Sequence, residues 1–319
     1  MRCLLVTSIC NEGSAVWEWV AHHLNAGFDD IIVFQNDSTD GTRKALSILQ
    51  EIGAIKLFLN GGAQSAEKRN WQMRAYRRVS QMPEYHDADY VLALDGDEFL
   101  CVKTPEQTVQ SLFNHVPQAD EIRLNWKIFG SGDHQELSGE LITERFTMAQ
   151  KDDLIRTKPS AFKTLFRSEA FKRPGIHRPR EPLIAQPAET NGSGMAEGSF
   201  DSHNWYSSDP EGRRFAQINH YILRDAQTFL LKALKGRPGF PPVDVNAGYW
   251  DMYNINDEQD LILQQRVSHL SATMERLNDL SGGRLLSLRL MALQKQLEMF
   301  ERTQENPELR ALYDRVCAR

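Results

Sequence analysis

The 319-residue sequence predicts an α/β domain on a mostly parallel sheet, followed by a helical C-terminal extension. Short β-rich runs alternate with helical periods from residue 2 to about 126. Acidic and turn-forming residues collect directly after the first, second and fourth of those runs, where open α/β sheets bind ligands. Beyond Asp257 the apolar residues fall at 4,3,4,3 spacing, a helical period.

Cys3-Leu4-Leu5-Val6-Thr7 reads as a buried first strand that ends in Ser8-Ile9-Cys10-Asn11-Glu12-Gly13. A helix follows with Val16, Trp19, Val20, His23 and Leu24 on one face, stopped by Gly27. Strand two, Ile31 to Phe34, runs into the turn formers Gln35 to Thr42. The next helix carries Ala45, Leu46, Leu49 and Ile52 and closes at Gly53; Ile55 to Leu59 is the third strand. A polar helix from about Ser65 to Ser80 precedes the strand Tyr90 to Leu94, which delivers Asp95-Gly96-Asp97-Glu98 at its carboxyl end. Thr104-Pro105-Glu106-Gln107 has the pattern of a capping box, with Thr104 as N-cap and Pro105 at the first helical position. Glu121 to Trp126 is the next strand.

Past residue 127 the pattern loosens, with short strands expected around Phe146 and from Phe162 to Phe166. Ala185 to Ser199, dominated by Gly, Ser, Pro, Thr and Ala, reads as a mobile loop. Lys235 to Pro242 makes a second break, so the expected division is 1–240 for the catalytic fold and 241–319 for the extension. In the extension, Leu263, Val267, Leu270, Met274 and Leu277 precede Ser281-Gly282-Gly283, and Leu286, Leu290, Leu293, Leu297 and Phe300 follow it. A helical hairpin is expected, with its apolar stripe either packed on the catalytic fold or forming the seam of a homodimer.

Composition narrows the function. Hydrophobic residues at 41% and charged ones at 25% exclude a disordered or collagenous chain. Lysine and arginine number 37 against 43 acidic residues, a net charge of −6, which argues against a nucleic-acid-binding surface. Four cysteines without C-x-x-C spacing suggest neither a zinc site nor a disulfide framework, which fits a reducing, cytoplasmic setting. A strand that opens at Cys3 leaves no room for a leader, and no run of about 18 apolar residues occurs. A soluble chain is expected, with membrane contact limited to the periphery of the inner face.

Asp95-Gly96-Asp97 is the strongest chemical feature. Two carboxylates two residues apart at a strand end can share a hard divalent cation and its phosphates, although D-x-D also occurs as a plain turn. Burial resumes directly at Phe99-Leu100, so both carboxylates are pinned. A dehalogenase-like phosphatase would carry the motif on its first strand with Thr or Val in the fifth place, where this chain has Phe99. An EF-hand counted from Asp95 would need Gly at position six, where Leu100 stands, although Glu106 does occupy position twelve.

The motifs taken together resemble a glycosyltransferase of GT-A fold, nearest to the branch comprising glycosyltransferase family 92 and bacterial family 2-like proteins. The residues that carry the likeness are Cys10 to Gly13, Trp17 to His23 with Gly27-Phe28, Asn36 to Thr42, Gln72 with Ala75-Tyr76, and Leu94 to Leu100. It continues in Asn125-Trp126, Phe129-Gly130-Ser131, Lys163 to Arg167, Ile176 to Pro179, Ile218 to Tyr221, Phe229, Lys232 and Lys235-Gly236-Arg237. The resemblance implies a metal-dependent transferase of hexosyl type that uses a nucleotide sugar, with UDP expected. Mn²⁺ or Mg²⁺ is implied as the cofactor, with Asp95, Asp97 and His220 as its ligands; a buried, purely structural His220 is the alternative. Asn11, Glu12, Asn36, Asp37, Ser38, Asp40, Gln72, Asp95, Lys163 and Arg237 are implied on the donor side, with Arg167 and Lys235 also near the diphosphate. For Asn36 to Gly41 a plain turn, and for the basic residues an ordinary charged surface, are the alternatives.

Inversion is also implied, and it needs a base for the acceptor hydroxyl. Asp133 is the candidate base, with Glu136 and Asp153 behind it and a solvated loop carboxylate as the alternative for each, while His134 and His177 would instead line the acceptor pocket. Relatives place Gly-His where this chain has Gly132-Asp133, so Asp133 departs from the pattern. The acceptor implied is a glycan or a lipid-linked sugar. A nucleotide-sugar-binding scaffold without transfer is the alternative from another class. A sugar-nucleotide pyrophosphorylase would open with a glycine-rich basic loop, and Ser8 to Gly13 has one glycine and no basic residue.

Overall fold

A computed structural model describes residues 1–61, 71–151, 160–196, 205–207, 212–235 and 245–318. The main strands are β1 (Cys3–Ile9), β2 (Asp30–Gln35), β3 (Lys56–Leu59), β4 (Tyr90–Leu94), β5 (Glu98–Val102), β6 (Glu121–Ile128), β7 (Ser160–Arg167) and β8 (Ala216–His220). They lie in the order β3-β2-β1-β4-β7-β6-β8-β5. Strands β1 to β4 are mutually parallel, β7 runs against its neighbours β4 and β6, and β8 is parallel to β6 but antiparallel to β5. Two short strands join the sheet, Glu189–Asn191 beside β6 and Tyr206–Ser207 beside β7. This is the α/β architecture the sequence predicts.

The central strands are apolar on both faces because both faces are covered. Leu4, Val6, Ile32, Phe34, Val91 and Ala93 point to one face, where α3 (Trp71–Val79) contributes Ala75, Tyr76 and Val79. Cys3, Leu5, Ile31, Val33, Leu92 and Leu94 point to the other. There α1 (Val16–Asn25) adds Val16, Trp19 and Val20, and α2 (Thr42–Glu51) adds Ala45, Leu46 and Leu49. Trp19 is a core residue, as its helical position implied, and its indole N–H donates to the Glu98 carbonyl at 2.8 Å.

Two local expectations fail. Thr104 does not cap a helix: the residues 104–107 form a turn, closed by the Gln107 N–H on the Thr104 carbonyl, with Gln107 at φ 51°. The helix starts at Val109, and Thr108 and Ser111 make the capping box instead. Thr104 Oγ1 bonds Ser111 Oγ at 2.5 Å, so the hydroxyl expected to cap the helix ties the turn to it. Around Phe146 the chain forms a helical turn, Ile142–Arg145, and the strand follows at Met148–Ala149, paired with Glu258–Gln259.

The extension does not stand apart. After α4 (Ala226–Lys235) and α5 (Ala247–Tyr253), helix α6 (Val267–Leu280) packs on α1 and buries Leu270, Met274 and Leu277 in the core of the sheet, next to Leu263. Helix α7 (Arg284–Thr303) lies on α2 and α4, and α8 (Pro307–Cys317) on α4 and α5. The expected stripe of α7 is not the face it buries. Leu285, Ala292, Gln296 and Thr303 turn inward, whereas Leu286, Leu290 and Leu297 are exposed, with Met291. The buried face approaches the β1 turn closely, since a Cβ placed on Gly13 would stand 3.1 Å from Ala292 Cβ. Among the described residues no helix is long and apolar enough to cross a membrane. The mobile loop expected over 185–199 is instead a strand at Glu189–Asn191, where Thr190 and Asn191 are buried; residues 197–199 and 236–242 lie outside the described residues.

Candidate active site at the carboxyl edge of the sheet

Pairing of Ile9 with Gln35 and of Thr7 with Leu94 brings the ends of β1, β2 and β4 to one edge. There the two polar loops are stitched together. Asn11, at φ 60°, donates its N–H to Ser38 Oγ at 3.0 Å and accepts from the Thr39 N–H at 2.9 Å on Oδ1. The Glu12 N–H donates to Thr42 Oγ1 at 2.9 Å. Buried Asp40 accepts from the Gly13 N–H at 2.9 Å and from the Thr42 N–H at 3.0 Å, which ties the β1 turn to the start of α2. Asn36 donates to Ser8 Oγ and accepts from Asn60, each at 2.8 Å. Asp37, at φ 44°, lies over Gly61, where a Cβ would collide with its carboxylate. Asn11, Asn36, Ser38 and Asp40 thus shape the loops through their own bonds. Helix α7 braces them from outside, with Lys295 donating to the Thr39 carbonyl and Arg289 to the Ser14 carbonyl.

The D-x-D turn follows β4. Asp95 accepts from Gln72 Nε2 at 2.6 Å on Oδ1 and from Lys163 Nζ at 2.9 Å on Oδ2. Lys163 is fully buried and also lies 3.2 Å from Glu98 Oε2, which accepts from the Asp95 N–H at 2.8 Å. Burial opposes the Lys163 charge, but Asp95 and Glu98 outweigh it and hold the ammonium charged. The buried Glu98 carboxyl is pushed up by desolvation, in spite of Lys163. At Asp97 burial would raise the pKa, yet the nearby Lys232 and His220 carry it well below the usual carboxylate range. Lys232 Nζ stands 3.4 Å from Asp97 Oδ2, and His220 Nε2 stands 3.6 Å from Oδ1. Arg224, at φ 61°, reaches Glu12 Oε2 at 3.0 Å. Burial pushes the Glu12 carboxyl up against that pairing.

Among the described residues no three carboxylate, imidazole or thiol groups converge on a ready-made cation cage. Asp97 and His220 nonetheless fit a shared divalent ion. Their facing atoms, His220 Nε2 and Asp97 Oδ1, sit 3.6 Å apart, beyond hydrogen-bonding reach, and the carboxylate stays ionised. Asp95 fits less directly, since both its oxygens are already engaged.

Other expected residues fall elsewhere. Arg167 pairs with Tyr90, at the opposite end of β4, and its guanidinium meets Asp120 and Glu169, so it does not approach the diphosphate. Asp133 is exposed at φ 63° in the turn after β6, and Ser131 and Gly132 are held by Asn254 and Asn256 of the extension. No contact among the described residues joins Asp133 to Asp95, Asp97 or His220. His134 bonds the Arg145 carbonyl at 3.3 Å and packs edge-on against Phe146, a structural position. Glu136 is exposed, and Asp153 and Arg237 lie outside the described residues. His177 is at the site: its ring is 5.6 Å from Trp126, which in turn is 4.3 Å from His220. Arg224 carries no local signal in the sequence, and Glu98 and Lys232 stand out there only as members of motifs. Their charge partners come from distant parts of the chain.

No curated protein is similar enough to match. Among solved structures, S. aureus TarS 1-349 in complex with UDP-GlcNAc is similar at 11% identity and a TM-score of 0.33, over 97% of this chain and 93% of that one. HddC from Yersinia pseudotuberculosis is similar at 8% identity and a TM-score of 0.31, over 60% of this chain and 89% of that one. The family model of glycosyltransferase family 92 matches residues 11–195, more than half of the chain, from the β1 turn through the D-x-D to beyond β7. The chain therefore belongs to glycosyltransferase family 92 and is a glycosyl-transferring enzyme.

Proposed function

We propose that the enzyme moves a sugar, with inversion, from a nucleotide sugar to the hydroxyl of a glycan or lipid-linked acceptor, and that it depends on Mn²⁺ or Mg²⁺. The observation that carries this is Asp97, held ionised at the sheet edge with His220 and Lys232 beside it. Asp97 and His220 would hold the cation, which when bound neutralises charge on the diphosphate. Lys163 and Gln72 hold Asp95 in one orientation on the donor side. Lys232, beside Asp97, and Arg224, beside Glu12, would add positive charge where negative charge develops on the leaving diphosphate. The loops joined through Asn11 and Asp40 are our choice for the nucleoside, and UDP is the nucleotide that the sequence resemblance implies.

In the transfer, the acceptor oxygen bonds to the anomeric carbon as the bond to the diphosphate breaks. The bonding pair leaves with the diphosphate, and the hydroxyl proton passes to a base. Asp133 remains our candidate for that base, because its turn follows the carboxyl end of β6, where Ile128 pairs with His220. The test is calorimetry of UDP with and without Mn²⁺. Asp97→Asn should abolish the Mn²⁺-dependent part of binding while the fold persists, and undiminished Mn²⁺-dependent binding would remove the metal assignment. Slow Mn²⁺-dependent release of UDP from one UDP-sugar of a panel would identify the donor.

A further inference from the structure

Across β4 from the nucleotide loops, the same edge carries a row of aromatic rings that the transfer chemistry does not use. Trp126, on β6, stands edge-on to His220 at 4.3 Å. His177 follows at 5.6 Å from Trp126, and Trp205 at 6.4 Å from His177. Trp205 itself packs edge-on against Tyr206 at 4.7 Å, and Tyr206 is fixed by pairing with Ala161 of β7. Trp205 is 52% exposed, while Trp17, Trp19 and Trp250 are buried. An indole half exposed at the edge of the site offers a ring face on which a ligand can stack.

His177 is held rigidly for a polar role. Its Nδ1–H donates to the Phe162 carbonyl at 2.9 Å, and its own carbonyl accepts from Thr164 Oγ1 at 2.7 Å. With Nδ1 as the donor, Nε2 is the acceptor of a neutral ring. An exposed aromatic face beside a fixed hydrogen-bond acceptor suits a sugar ring. Its C–H bonds carry positive edges that lie on the negative π face, and its hydroxyls donate at the rim. A nucleobase could also stack on Trp205, but β1 and β2, with the loops expected to take the nucleoside, lie on the other side of β4.

We propose that Trp205 and His177 form the acceptor subsite, and that the acceptor is a carbohydrate whose pyranose ring stacks on Trp205. The inference rests on the transferase reading above. It is tested with methyl pyranosides of glucose, galactose, mannose and N-acetylglucosamine, by saturation-transfer NMR and as acceptors with a panel of UDP-sugars. At least one pyranoside should give a saturation signal with the wild type that Trp205→Ala loses. Where it is also an acceptor, its KM should rise tenfold or more in Trp205→Ala while kcat changes less than about threefold, with most of the loss restored by Trp205→Phe. Absence of any pyranoside signal with the wild type would overturn the proposal, as would an unchanged signal in Trp205→Ala. So would weakened binding of UDP alone in Trp205→Ala, which would make Trp205 a nucleotide platform. If pyranosides bind through Trp205 but no UDP-sugar is turned over, the UDP-sugar donor reading fails and the sugar subsite stands.

Discussion

Lys163 lies fully buried with its ammonium 3.2 Å from Glu98 Oε2 and 2.9 Å from Asp95 Oδ2, so one internal cation holds two carboxylates of the D-x-D turn. Breaking a buried pair by removing one partner leaves an uncompensated charge, which costs about 3–5 kcal/mol. Lys163→Met should therefore destabilise the protein by roughly that amount in urea unfolding. Adding Glu98→Gln to Lys163→Met should recover part of the loss, because the raised Glu98 carboxyl is the group left without its partner. No recovery in the double variant would show that Asp95, 36% exposed, carries the coupling instead.

The two histidines of α1 make stability depend on pH. His23 donates from Nδ1 to the Trp19 carbonyl at 2.8 Å and accepts from the Leu100 N–H on Nε2 at 3.3 Å, so its ring must stay neutral. Burial pushes His22 down to about 4, and burial together with His22 takes His23 well below its ordinary value. Both folded values lie under the unfolded 6.5, so below that pH the unfolded chain takes up protons that the folded chain refuses. Stability is complete above about pH 6.5 and should fall toward pH 4 at up to about 1.4 kcal/mol per unit for each histidine. Urea midpoints measured across this window should be flatter in His22→Gln than in the wild type, and an unchanged slope would refute the assignment.

Neighbouring leucines of α7 should behave oppositely. Leu285 is buried in the core, and Leu285→Ala should cost about 2–5 kcal/mol. Leu286 is 44% exposed, and Leu286→Ala should stay within about 0.5 kcal/mol in a monomer. Thermal unfolding of the two variants at several protein concentrations checks this. A large, concentration-dependent effect of Leu286→Ala would instead place the exposed stripe in a homodimer seam.

The sequence by itself determined the elements whose signals are local. Apolar runs such as Leu4 to Val6 and Tyr90 to Leu94 could only be covered strands, and the acidic turn after the second of them had to emerge at the carboxyl edge. The stripe Leu270, Met274 and Leu277 named the buried face of α6 correctly, since period and core face coincide there. Only the tertiary structure decided the rest. Thr104 and Thr108 offer similar caps, and the left-handed turn at Gln107 selects the second. On α7 the buried face carries Ala292 over Gly13 rather than the leucine stripe, a choice made by how the helix docks on α2 and α4. The charge partners of the D-x-D lie 68 residues away at Lys163 and 135 away at Lys232, and nothing in the intervening chain ties them to it. Periodicity reports which face of one element is apolar. Which cation meets which carboxylate depends on strand order, and that is set by the packing of the whole sheet.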